Sequence, residues 1–438
     1  MNNNSPYFNP ERETMSREQI EASQLERLKE TVRHCMNNEF YQKKFKEAGI
    51  TPDDIQTLAD VRKLPFTTKA DLRDTYPFGL FAVDKDQLVR IHASSGTTGK
   101  PTVVGYTKND LETWTECVSR IACMGGATSK DISQICFGYG MFTGALGLHY
   151  GLENIGSAIV PSSTGNSEKQ IMFMKDFQTS LLVATPSYCL RLAEVAAEMG
   201  VDVKKELNVR ICLLGSEMLT DAMRAEVHKV WGDDVLVTSN YGMSELMGPG
   251  VSGECEFMDG MHINEDYFIP EIIDPVSGEV LPEGEKGELV ITCIKKDALP
   301  LIRYRTKDIT RLNYSPCKCG RTTCRMENLS GRSDDMLKIR GVNVFPTQIE
   351  EVVLSMDELG PHYEIVVTRE GYSDKLEIRV ELAKPCDEFA ELKRIENKVL
   401  KGLKTVLGLE AKVSLVSPNT LKRFEGKAKR IIDLRNAK

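Results

Sequence analysis

Residues 211–238 read ICLLGSEMLTDAMRAEVHKVWGDDVLVT, and this stretch decides the architecture. Ile211–Leu214 is a short apolar run of the kind that fills a strand buried on both faces. Over Asp221–Trp231, the spacing of Met223, Val227, Val230 and Trp231 puts an apolar side on a helix. Thr220 stands where a side-chain oxygen can accept from its first free N–H groups. A second apolar run, 235–238, follows at once. Strand, helix and strand in succession are the unit of an α/β fold built on a largely parallel sheet.

The same alternation extends from about residue 88 to 300. Before it the chain reads as helical, with Leu25, Leu28, Val32 and Cys35 along one face. Within its last part, Pro275, Gly278, Pro282, Gly284 and Gly287 punctuate short β runs at 269–273 and 288–292. This predicts a small β-rich subdomain over about 250–330, closing a large N-terminal domain of residues 1–331. The last hundred or so residues read as a separate small α+β domain, 332–438, with the boundary at 331–335. There Leu376, Ile378, Val380 and Leu382 alternate with charged residues as a half-buried strand. A run at 363–368 pairs with it through a turn containing Gly371, and helices are expected at about 347–357 and 387–407. No internal repeat or low-complexity tract is present.

Composition narrows the function classes. The 438 residues carry a net charge of −8, so nothing in the bulk charge calls for a polyanion, and nucleic acid is not an expected partner. The polar start MNNNSPYFNPERE has no apolar core of a secretory signal, and no run of 18 apolar residues spans a membrane. Twelve cysteines in such a chain read as reduced thiols or metal ligands. The expected location is the cytoplasm.

Residues 94–101 read Ser-Ser-Gly-Thr-Thr-Gly-Lys-Pro. Glycines and hydroxyls at this density favour a backbone whose N–H groups converge on an anion, with Lys100 adding charge. Strand candidates at 89–92 and 103–106 flank it. Only two residues separate Gly96 from Gly99, and Pro101 follows the lysine, so the spacing is not that of a Walker A loop.

With its neighbours, this loop resembles the phosphate-binding loop of the adenylate-forming superfamily, which holds acyl-CoA synthetases, luciferases and peptide-synthetase adenylation domains. The resemblance continues in order along the chain. It implies that Ser94, Ser95, Gly96, Thr97, Thr98, Gly99 and Lys100 grip ATP phosphates. Gly215-Ser216-Glu217 is similar to the segment against the adenine edge. Asn240-Tyr241-Gly242-Met243-Ser244-Glu245 resembles the adenine and magnesium motif, with Tyr241 stacking on the base and Glu245 holding Mg²⁺. Tyr304-Arg305-Thr306-Lys307-Asp308 resembles the ribose motif, with Asp308 accepting from the hydroxyls. Gly331-Arg332-Ser333-Asp334-Asp335 resembles the hinge, with Arg332 reaching the nucleotide and Asp334 the pivot of a mobile C-terminal lid. Pro418-Asn419-Thr420 and Gly426-Lys427 resemble the motif of the catalytic lysine, Lys427. Gly341 then falls on the path of the coenzyme A thiol, and Lys422 and Arg423 could receive that cofactor's phosphates.

Within the superfamily, the segments at 137–151, 161–170, 270–289, 299–310 and 331–346 resemble the phenylacetate–CoA ligase family. Residues 137–147 mix Phe137, Tyr139, Met141 and Phe142 with Gly138, Gly140, Gly144, Ala145 and Gly147. Rings can sandwich an aryl group there while glycines let the backbone approach it. The resemblance implies Phe137 and Phe142 as the aryl wall, with Tyr139 and Gly144 beside them and Gly215 leaving room opposite. The implied activity is ATP-dependent ligation of phenylacetate, or a close aryl-acetic acid, to coenzyme A through an acyl-AMP. An adenylating enzyme that serves a carrier protein, or a nucleotide-binding relative without catalysis, stays as the alternative, and the resemblance leaves room for a homodimer.

Cys317-Lys318-Cys319 lies in a polar loop, and Cys255 and His262 lie some sixty residues upstream. A Cys-x-Cys turn with a distant Cys/His pair can form a tetrahedral zinc site. The preferred structural Zn²⁺ ligands are Cys255, His262, Cys317 and Cys319, with Cys324 as substitute. The remaining cysteines read as packing residues.

Overall fold

The unit at 211–238 is present in the computed structural model, which describes residues 6–94, 101–333, 336–340, 342–370 and 373–435. Ile211–Leu214 is a fully buried strand. Asp221–Trp231 is a helix capped by Thr220, whose side chain accepts from the Met223 N–H at 3.1 Å. Met223, Val227 and Trp231 are buried beneath it, and the chain returns as the strand Leu236–Met243, parallel to the first.

Five strands make the parallel part of a nine-stranded sheet, in the order Ala158–Val160, Ile132–Ile135, Leu181–Ala184, Ile211–Leu214 and Leu236–Met243. Beyond Leu236–Met243 the sheet turns antiparallel through Gly248–Glu254, Met261–Ile263, Arg325–Met326 and Leu312–Asn313. A second sheet of four antiparallel strands runs Phe268–Ile273, Gly287–Cys293, Tyr304–Thr310, Gly331–Arg332. The segment read as one β-rich unit is thus shared between two sheets. Alternating strand patterns look alike from sequence, and only pairing decides which sheet takes them. The helix Arg17–Cys35 buries Ile20, Leu28, Val32 and Cys35, as its period requires.

Residues from 337 onward have their own core, from Leu337 to Val413, including Ile365, Ile378, Val399 and Leu403. Its sheet pairs Leu359–Glu370 with Ser373–Leu382 as a long antiparallel hairpin, placing Ile365 opposite Ile378. Lys412–Val416 and Ile431–Asp433 add parallel edges, and the helices Pro346–Leu354 and Phe389–Leu407 belong to the same module. Of the residues singled out above, Ser95, Gly96, Thr97, Thr98, Gly99, Lys100, Asp334, Asp335, Gly341 and Gly371 lie outside the described ones. The flanking strands Arg90–Ala93 and Val103–Tyr106 pair antiparallel, and the Ser94 N–H donates to the Thr102 carbonyl at 2.9 Å. No described helix is long and apolar enough to cross a membrane.

Candidate active site at the carboxyl edge of the parallel sheet

Parallel strands present all their carboxyl ends to one edge, and the following loops carry whatever that edge binds. Here Ile132–Ile135 leads to 136–142, Leu181–Ala184 to Thr185 and Ser187, Ile211–Leu214 to 215–217, and Leu236–Met243 into Ser244 and Glu245. Residues far apart in the chain are therefore neighbours along one cleft.

Tyr241 is buried, and its hydroxyl donates to Asp308 Oδ2 at 2.7 Å. Asp308 lies directly across the strand pair from Arg332, whose Nη1 donates to Oδ1 at 3.0 Å. Cross-strand register thus assembles Tyr241, Asp308 and Arg332 from two sheets. Burial, then the Asp308 charge, pushes the Tyr241 phenol well above its usual range. Gly242 follows at a register shift in the strand pair. A Cβ there would stand 1.9 Å from the Gly248 carbonyl oxygen, so only glycine fits. The Asn240 amide donates to the Leu214 carbonyl at 2.8 Å and lies 2.8 Å from any Cβ placed on Gly215.

Glu245 is 3% exposed. Its Oε1 accepts no hydrogen bond, and the Lys69 ammonium stands 3.2 Å away. A buried carboxylate oxygen with a spare lone pair is a donor that fits a hard divalent ion such as Mg²⁺, and the Lys69 ammonium is the charge such an ion would displace. Lys296, itself buried, donates to the Glu245 backbone carbonyl at 2.8 Å. Desolvation lowers the Lys296 pKa, while Asp110 and Glu245 partly offset it. The neighbouring Ser244 hydroxyl is 3.0 Å from that of Thr143.

The loop that carries Lys427 is docked on this edge. The Gly426 carbonyl accepts from the Thr185 hydroxyl at 3.2 Å and lies 3.2 Å from the Ser187 oxygen. The Ala428 N–H donates to Glu217 Oε1 at 2.5 Å. Further contacts join the two modules: His362 Nε2 lies 2.5 Å from Glu194, and Thr220 donates to Glu350 at 3.1 Å. Glu350 also binds Arg430. Lys427 is exposed, as is Lys422. Arg423 differs from the expected phosphate receptor: both its terminal nitrogens are held at 2.8 Å by Glu381, leaving Lys422 as the available one of the two.

Among the acid-pocket residues, Phe137 and Tyr139 pack partly buried against the main core. The Phe137 ring is 4.0 Å from a Cβ placed on Gly144, so those two face each other. The Tyr139 hydroxyl meets His149 Nδ1 at 3.1 Å. Phe142 immediately precedes the helix Thr143–Asn154 and is 51% exposed, whereas Phe137 and Tyr139 are partly buried.

Cys255, His262, Cys317 and Cys319 converge, their ligand atoms all within 4.8 Å of one another. Cys255 and Cys317 sulfurs are 3.7 Å apart, and Cys319 Sγ lies 3.3 Å from His262 Nε2. Tetrahedral Zn–S and Zn–N bonds put neighbouring ligand atoms about 3.5–3.8 Å apart, so the spacing fits. His262 Nδ1 is 3.2 Å from the Thr323 hydroxyl, which leaves Nε2 toward the cluster. The Cys255 thiol, and after it the His262 ring, hold the Cys319 thiol far below its usual range. Cys324 is not among the four. It is buried in the main core, its N–H on Glu265 at 2.6 Å.

Two family descriptions match the chain: "AMP-binding enzyme" over residues 19–293 and "AMP-binding enzyme C-terminal domain" over 341–435. The chain belongs to the AMP-binding enzyme family. Among its relatives in this adenylate-forming family, the phenylacetate-coenzyme A ligase of Thermus thermophilus is 46% identical, covering 98% of this chain and 99% of its own length. That of Escherichia coli is 46% identical with 97% of each chain covered. The solved 2-hydroxyisobutyryl-CoA ligase, in its postadenylation state with an acyl-AMP, is 28% identical. It overlays with a TM-score of 0.92 across 99% of this chain and 93% of that one. The same enzyme in its thioesterification state, with acyl-AMP and CoA, gives 0.72 over the same coverage.

Several groups at this edge escaped the sequence reading: Thr185, Ser187, Lys69 and Lys296. A signal existed for the first pair, since Thr185-Pro186 after an apolar strand is a helix start. Nothing local marks Lys69 or Lys296, which reach Glu245 from distant segments.

Proposed function

We propose that this enzyme ligates phenylacetate, or a close aryl-acetic acid, to coenzyme A through an acyl-AMP, releasing AMP and pyrophosphate. The observation that carries the reading is the convergence on one cleft of Tyr241, Asp308 and Arg332, the buried carboxylate of Glu245, and the docked Lys427 loop. Identity of 46% to phenylacetate-coenzyme A ligases over nearly full length supports the substrate class.

A carboxylate is a poor acyl donor, because oxide would have to leave. Its oxygen attacks the α-phosphorus of ATP, a new P–O bond forms, and the bond to the bridging oxygen breaks to release pyrophosphate. Phosphoryl oxygens carry the developing charge, and positioned cations stabilise it. Lys427 supplies one. Glu245 would hold Mg²⁺, whose chemistry here is neutralisation of phosphate charge. Asp308 binds the ribose hydroxyls, with Arg332 opposite it. The thiolate of coenzyme A then attacks the acyl carbon, and AMP departs with the bonding electrons.

Residues 332–438 act as a lid that presents Lys427 for the first step and turns away for the second. The higher overlap with the postadenylation relative than with the thioesterification one supports assigning this arrangement to the adenylating pose. The Phe137–Gly144 face is the aryl wall. The Cys255, His262, Cys317, Cys319 cluster holds a structural Zn²⁺. ATP–pyrophosphate exchange across aryl and aliphatic acids tests the assignment. Phenylacetate-dependent exchange, followed by CoA-dependent thioester formation, is expected, and no acid-dependent exchange would defeat it.

A further inference from the structure

We infer that Glu217, Ser187 and Thr185 form a cradle that positions Lys427 for acyl-AMP formation and has no part in transfer to coenzyme A. The inference rests on the ligase reading above. The lysine sits in the middle of a three-residue segment whose peptide groups are held on both sides. Upstream, the Gly426 carbonyl accepts from Thr185 Oγ1 at 3.2 Å and lies equally near Ser187 Oγ, whose own proton goes to Glu217. Downstream, the Ala428 N–H donates to the Glu217 carboxylate at 2.5 Å. Gly426 has φ +143, and a Cβ there would meet nothing within 4 Å, so its need for glycine is a backbone need: the segment turns sharply into the cradle.

The cradle is itself rigid. Thr185 caps the helix Pro186–Glu198, accepting from the Tyr188 N–H at 3.2 Å. Glu217 is fixed from behind by the Ser187 N–H at 3.1 Å and the Ser187 hydroxyl at 2.7 Å. Its carboxylate therefore bridges the end of one parallel strand and the lysine loop. That gives the second half of the Gly215-Ser216-Glu217 segment a task apart from any contact with adenine. Arg430, two residues beyond the Ala428 bond, pulls the Glu217 pKa down against the larger upward push of burial.

A long flexible lysine has its ammonium positioned only as well as its backbone is held. A displacement of about 1 Å can cost about 10²-fold in rate. In the second half-reaction the lid has left, and all three contacts are broken. Removing the cradle should therefore separate the half-reactions.

The test uses full-length protein and three measurements: phenylacetate-dependent ATP–pyrophosphate exchange, the KM for ATP, and CoA-dependent consumption of supplied phenylacetyl-AMP. Glu217→Ala is expected to lower the exchange turnover at least tenfold, to leave the KM for ATP within twofold, and to spare thioester formation. Glu217→Gln and Ser187→Ala, which hardly change packing, should follow in the same direction by smaller factors. On a Lys427→Ala background, Glu217→Ala should cost nothing more, because the two act as one unit. Equal loss in both half-reactions, a raised KM for ATP at unchanged turnover, or additivity with Lys427→Ala would each overturn the inference. Wild-type protein without phenylacetate-dependent exchange would instead overturn the ligase reading, so the two failures are distinguishable.

Discussion

Replacing Cys319 by serine should strip the metal cluster and loosen the sheet it clasps. Cys255 follows the strand Gly248–Glu254, His262 lies on the next strand, and Cys317 and Cys319 lie on the loop leading back to the sheet. A link from Cys255 to Cys317 spans 62 residues of chain. Chain-entropy arguments for a cross-link of that span give about 4 kcal/mol, less whatever the unfolded thiols retain by binding metal themselves. Spread over an unfolding entropy of roughly 0.7 kcal/mol/K for a domain of this size, that corresponds to a Tm about 3–6 °C lower. Plasma mass spectrometry of protein grown with zinc should find about one zinc per chain, and Cys319→Ser should lose it. Scanning fluorimetry should show the Tm drop in the variant and in chelator-treated wild type, but no further drop when both are applied. Zinc-free wild-type protein, with Cys319→Ser melting at the same temperature, would refute the reasoning. Cys324→Ser should keep the metal, since Cys324 is buried apart from the four.

Lys427→Ala is expected to reduce ATP–pyrophosphate exchange by about 10²–10³-fold, the usual loss for one transition-state donor, while transfer from supplied phenylacetyl-AMP persists. Equal loss of both would refute the division of labour. Asp308→Asn removes the charge that Tyr241 and Arg332 share. Charge-assisted bonds are worth about 1.5–3 kcal/mol, so the KM for ATP should rise roughly 10–100-fold, measured by exchange kinetics at fixed phenylacetate. Asp131, buried, has its pKa held below 3.8 by Arg210, Ser180 and Thr128 against an opposing desolvation cost. A depressed carboxyl stabilises the fold above its unfolded pKa and loses that contribution as pH falls through the folded one. Denaturant midpoints should therefore show wild type ahead of Asp131→Asn by about 1–2 kcal/mol from pH 8 to 5, with the gap closing below about pH 4.

By itself, the sequence determined the elements and the list of chemically capable residues. Strand period, helix period and caps are local, so 211–238 could be read almost residue by residue, Thr220 cap included. The cluster of Cys255, His262, Cys317 and Cys319 was likewise readable, because residues able to bind a metal announce themselves by type. Tertiary structure alone decided who meets whom. Which sheet takes the strands of 250–330 depends on pairing, and so does the placing of Arg332 across from Asp308. Phe142 counted as an aromatic in the pattern yet stands half in solvent, since a ring's type does not say which way its backbone faces. Arg423 counted as a free cation until Glu381, forty-two residues upstream, took it. The cradle for Lys427 is the clearest case. Thr185 announces only a helix start and Glu217 only a segment beside adenine, and with Ser187 they come together only when two strand ends and a distant loop reach the same edge.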